Sequence, residues 1–197
     1  MLKSIVLFGL LCLTQLTSAH PANSMPYRIS DEFKDLLVAI REVQVSPEEA
    51  KRPFQDILYR LHHQFPPEYT DSANVQLIFP LKGRNYISVG GYNGSGFRPK
   101  GFDLFNHFAK GSHPAHDIFI RDKNQDSIDD VFGDYVDVVA VSDGFILAVE
   151  TEWQAGSEYR GGNYVWLYDF KTGGLWYFAH QRKVYVHEGQ FVKAGDK

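Results

Sequence analysis

The sequence predicts a mainly β fold, an antiparallel sheet with a sandwich-like core, preceded by an N-terminal α-helical hairpin. Three observations predict it. Apolar residues recur twice at helical spacing before residue 65. From residue 75 onward the pattern changes to short runs rich in Val, Ile, Tyr, Phe and Trp. Tight turns separate those runs, with no helical stretch long enough for the crossover that a parallel sheet needs.

The first 19 residues place a basic Lys3 ahead of an apolar run from Ile5 to Leu13 and a small-residue exit at Thr17-Ser18-Ala19. This is the layout of a cleavable secretory signal, and the run is too short to span a bilayer. A secreted or periplasmic protein is expected. The single cysteine, Cys12, lies inside that run, so a mature chain has no internal disulfide. The residues before Cys12 lack the small-residue pattern that precedes a lipid-modified cysteine, and no stable membrane anchor is expected. A chain of 197 residues with net charge −4 allows one sizeable core or a small helical unit plus one domain. The charge gives no support for nucleic-acid binding, which favours a clustered basic surface.

Ser30 is expected to cap a helix over 31–43, with Phe33, Leu36, Leu37, Ile40 and Val43 along one face. Ser46-Pro47-Glu48-Glu49 is a capping box with proline at the first helical position, and Phe54, Ile57, Leu58 and Leu61 form the stripe of a second helix. Pro66-Pro67 stops the helical region, giving an expected division into 1–19, 20–68 and a β-rich 69–197. Strands are expected at 75–79, 85–89, 116–120, 136–141, 144–151, 163–168, 175–179 and 183–186. Turns fall at Asp143-Gly144, Gly161-Gly162, Thr172-Gly173-Gly174 and Glu188-Gly189. Gly90, Gly91, Gly94, Gly96 and Gly101 make a glycine-rich loop without the spacing of a phosphate-binding loop.

The chemistry-bearing feature is His113-x-x-x-Asp117. A neutral imidazole and a carboxylate both bind Zn²⁺, and a catalytic zinc takes three protein ligands and one open position. The pair alone is one ligand short. After it come Val141-Ser142-Asp143-Gly144-Phe145-Ile146, Gly162-Asn163-Tyr164-Val165, Trp176-Tyr177-Phe178-Ala179-His180 and Glu188-Gly189-Gln190-Phe191-Val192-Lys193-Ala194-Gly195-Asp196. In this order the segments resemble the M23 (lysostaphin- or LytM-like) zinc metallopeptidases over roughly residues 111–197. The resemblance implies zinc ligation by His113 and Asp117 and a catalytic role for His180. It also implies a peptide substrate, that of bacterial peptidoglycan cross-links. Zinc lowers the pKa of its water to about 7 and polarises the scissile carbonyl, and an imidazole titrating near neutrality suits the proton transfer. His116 is expected outside the ligand set.

One departure is marked. Members of the family carry a His-x-His segment after the Gly-Asp turn, its second histidine being the third zinc ligand, and this sequence has none. Either the sequence is an incomplete version of a longer enzyme, the favoured alternative, or a product that has lost its final strand. As written it is expected to bind zinc weakly and hydrolyse poorly. A second ion site is a partial match. Asp122, Asn124, Asp126 and Asp130 supply oxygens in an arrangement like a calcium loop, although Ser127 stands where the turn glycine belongs. Two other classes of function stay open: a non-catalytic cell-wall binding or regulatory module, and, more weakly, a carrier hairpin around 186–196. Trp153, Tyr159, Trp166, Tyr168, Trp176 and Tyr177 suit either an aromatic cleft wall or the core, the core being the ordinary place for strand aromatics.

Overall fold

The computed structural model describes residues 25–68, 76–90, 96–109, 111–159 and 161–197. The proposed signal segment and Val75 lie outside the described residues. Two α-helices precede a four-stranded sheet: α1 (Met25–Arg41), α2 (Pro47–Gln64), β1 (Gly144–Glu150), β2 (Asn163–Asp169), β3 (Leu175–Gln181) and β4 (Phe191–Val192). The sheet is antiparallel in the order β3-β2-β1-β4.

Helix α1 starts before its expected cap. Ser30 is fully buried inside it and donates its hydroxyl hydrogen bond to the Ile146 carbonyl of β1 at 3.1 Å. The residue type was right for a cap and equally right for a buried donor, and burial decided. Ile29, Phe33, Leu36 and Ile40 form the buried face at helical spacing. Val43 does not continue it. The helix closes with Gln44 N–H donating to Ala39 O and Val43 N–H donating to Ile40 O, which is a Schellman ending with Val43 in the left-handed region at φ 55°.

Helix α2 follows its sequence signals closely. The Ser46 hydroxyl accepts from Glu49 N–H while the Glu49 carboxylate accepts from Ser46 N–H, and Pro47 occupies the first turn. Ala50, Ile57 and Leu61 are buried, with Phe54 and Leu58 packed beside them. Phe65 closes the helix through its N–H to Leu61 O, and its own carbonyl accepts the Tyr168 hydroxyl at 2.8 Å.

One core joins these helices to the sheet. Phe145, Leu147, Ala148 and Tyr168 pack with Ile29, Phe33, Leu36, Ile40, Ala50, Ile57 and Leu61. Each fully buried large side chain contributes about 1.5–3 kcal/mol by leaving water, so the hairpin and the sheet stabilise each other. Phe33 meets Trp166 edge-on at 5.7 Å and Phe54 at 6.1 Å. The opposite sheet face carries Ile146, Val149, Leu167 and Val192, packed with Val141, Val165, Trp176, Phe178, Val184 and Val186. Of the six aromatics offered for a cleft wall, Trp166, Tyr168 and Trp176 thus serve these cores.

Between the hairpin and β1 the expected strands shrink. The runs at 85–89, 116–120 and 136–141 form isolated bridges, Val89 with Ile118 and Leu81 with Val138, and 86–88 winds into a 3-10 turn capped by the Asn85 carboxamide. Residues 76–79 and 183–186 form no strand, although Ile78 N–H donates to Val141 O. The residue types suit strands, but each run meets a neighbour too briefly to build a ladder. The short β4, which pairs Gly144 with Val192 and Phe145 with Phe191, was not foreseen.

Candidate metal centre

His113 and Asp117 come together. Arg98 and His113 exchange two backbone hydrogen bonds, at 2.6 and 2.7 Å. Gly90 N–H donates to Asp117 O at 2.7 Å, and Phe119 N–H to Ser88 O at 2.8 Å. These short pairings hold both ends of the His-x-x-x-Asp segment. The His113 side chain then sets its Nε2 3.4 Å from Asp117 Oδ1, and its Nδ1 lies 2.6 Å from the Gly96 carbonyl.

That second contact assigns the tautomer. A carbonyl oxygen only accepts, so Nδ1 carries a proton and donates, and in the neutral ring it is the Nε2 lone pair that faces the carboxylate. A metal-binding histidine is commonly oriented in this way, its outer nitrogen bonded to a backbone carbonyl. Gly96 also lies beside the carboxylate, where a Cβ would stand at an ordinary contact distance of 3.4 Å from Asp117 Oδ2. Both side chains are part-exposed, 33% for His113 and 49% for Asp117, so solvent and solutes reach the pair. His116, adjacent in sequence, turns away and stacks on Phe97 at 5.0 Å.

His180 stands at the end of β3, exposed, with its N–H donating to Gly161 O at 2.9 Å. Its backbone has φ 58°, left-handed within a strand. Among the described residues no hydrogen bond, ion pair or ring contact joins it to His113 or Asp117. Two residues on, the Arg182 guanidinium lies 4.2 Å from the centre of the Tyr135 ring, tying this end of β3 to the loop that follows the acidic segment.

In the acidic segment the candidate calcium oxygens are engaged with their own chain. Asp122 accepts from Asp126 N–H and Ser127 N–H, Asp126 from Ile128 N–H and the Asn124 amide, and Asp130 from Lys123 N–H. Among the described residues no three His, Cys, Asp or Glu side chains are grouped closely enough to hold a metal ion.

The organising carboxylate of this segment is one that sequence reasoning passed over. Asp129 is fully buried, pairs with the Arg84 guanidinium, and accepts from Arg121, Val131 and Phe132 N–H. Burial pushes its carboxyl up, but the three amides and Arg84 outweigh that and hold it down at about 2. Six acidic or amide side chains occur between 122 and 130, and nothing in their spacing distinguishes the one that burial selects. Compared with protein-family models, with curated proteins and with solved structures, the chain finds no match.

Proposed function

We propose that the protein is an exported zinc-dependent metalloendopeptidase of the M23 type, cutting peptide bonds in peptidoglycan cross-links. The observation that carries this reading is the His113 ring, with Nδ1–H bonded to Gly96 O and Nε2 set 3.4 Å from Asp117 Oδ1. The two donors fit two positions of a tetrahedral zinc site. When bound, zinc supplies Lewis acidity for the scissile carbonyl and the attacking water.

The chain's own groups do the rest. Gly96 keeps His113 in the tautomer that donates a lone pair, Asp117 supplies a neutralising negative charge, and an open surface admits a peptide. His180, exposed at its strand end, is suited to take a proton from the water and return it to the leaving amine. The test is zinc content after dialysis, combined with hydrolysis of glycine-containing peptidoglycan peptides at saturating zinc. In a form that carries the third ligand, His113→Ala and Asp117→Ala should each remove bound zinc and turnover, whereas His180→Ala should keep most of the metal and lose turnover. Zinc uptake that is indifferent to His113→Ala would sink the reading.

A second reading, a cell-wall binding or regulatory module without hydrolysis, is favoured by the lack of a third ligand beside the pair among the described residues. It expects the wild-type chain to sediment with peptidoglycan while releasing no peptide.

A further inference from the structure

His180 sits at a defect in the sheet. β2 and β3 pair Val165 with Phe178 and Asn163 with Gln181, so β3 holds one residue more than β2 across this interval. Such a bulge re-aims the side chains beside it. The residue that absorbs it is His180, with φ 58°, a conformation that a non-glycine residue adopts only under constraint from its surroundings.

The constraint is visible. Gly161 O accepts the His180 N–H at 2.9 Å, and Gly162, itself at φ 65°, passes so close that a Cβ would stand 3.2 Å from His180 Cα and 3.5 Å from Nδ1. The near neighbour is backbone, which yields far less easily than the tip of a long side chain. On the other flank the Asn163 carboxamide accepts from Trp153 N–H and donates to Arg182 O, so both sides of the bulge are tied down.

We propose that Gly162 and the left-handed backbone of His180 form one positioning element, Gly162 acting as a positioning residue that fixes where the His180 imidazole stands. This rests on the peptidase reading for the role of that imidazole; the backbone device stands on its own geometry.

Two measurements on the full chain test it. Melting of His180→Gly should occur roughly 2–4 °C above His180→Ala, because glycine takes a positive φ without strain; the reverse order overturns the proposal, and this arm decides even if Gly162→Ala fails to fold. Cobalt(II) alone, titrated in place of zinc, should displace the NMR resonances of the His180 ring protons in the wild type. In Gly162→Ala, with cobalt affinity unchanged, the displacement should fall, because it drops steeply with the distance between the metal and a ring that has moved outward. An undiminished displacement in that variant overturns the inference, as does wild-type cobalt uptake through His113 that leaves the His180 ring untouched. A wild type that takes up no cobalt sinks the metal reading, and this role with it.

Discussion

The helix-backed sheet and the segment from 76 to 143 keep their backbones in order by different means. In the first, ladders and helical hydrogen bonds satisfy the main chain while Phe33, Phe145, Leu147 and Tyr168 fill a shared core. In the second, single bridges alternate with turns in which Asn85, Asp103, Asn106, Asp122, Asp126, Asp129 and Asp130 accept backbone N–H groups. Apolar side chains such as Tyr86, Ile87, Phe108 and Phe119 stay exposed there. The lesson is a division of labour: burial supplies the stability, and the region that carries His113 and Asp117 is shaped by local polar contacts. The first region should therefore respond to lost volume and the second to lost charge.

The largest effect is expected from Phe33→Ala. The side chain is fully buried between Trp166 and Phe54, and removing it should cost about 3–5 kcal/mol. Because the hairpin and the sheet share that core, circular dichroism in the far ultraviolet and tryptophan fluorescence should fall together in one melting transition at a lower temperature. Helix signal lost well ahead of the tryptophan signal would break the picture of a single shared core.

Acid should act on the other region through Asp129. Its carboxyl is held at about 2 in the folded protein, below the value of about 3.9 expected in the unfolded chain. A depressed folded pKa gives stability that is present above about pH 4 and lost as pH falls toward 2. Asp129→Asn keeps an acceptor for the backbone amides but leaves the Arg84 guanidinium without its counter-charge. The variant should melt lower at neutral pH and lose less than the wild type between pH 4 and 2, so that the two melting curves converge. Parallel pH profiles would show that this carboxylate does not govern the loop.

Much of the first region was legible and little of the second. Helix α2 could be read because its capping box, proline and apolar stripe are each local signals, and β1, β2 and β3 because Asp143-Gly144, Gly161-Gly162 and Thr172-Gly173-Gly174 delimit them. Ser30 was misplaced because a hydroxyl that caps and a hydroxyl that bonds a buried carbonyl look alike in sequence. The runs at 85–89 and 116–120 carry strand residues, yet a strand also needs a partner of matching length, which composition does not encode. In the candidate site, the pairing of His113 with Asp117 was expected from the segments that follow it, since the spacing alone is common by chance, whereas the Gly96 carbonyl that accepts from Nδ1 is a backbone atom and leaves no mark on residue type. The bulge at His180 escaped for a related reason, since one histidine at the end of a strand-like run does not mark itself as the residue that takes a positive φ.

Val43 sharpens that last point with the smallest predicted effect. It occupies the position after α1 where a Schellman ending favours glycine, at φ 55° and 51% exposed, so its side chain buries little that a substitution could lose. Left-handed backbone costs an L-residue roughly 1–2 kcal/mol, and more flexible unfolded glycine returns about 0.5–1 kcal/mol of that. Val43→Gly should therefore stabilise by about 0.5–1 kcal/mol, a rise of roughly 1–4 °C in melting temperature. Val43→Ala, still an L-residue in the same conformation, should gain less than glycine. If alanine matches or exceeds glycine, the ending of α1 is not under backbone strain in solution, and the conformations of Val43 and His180 would need separate explanations.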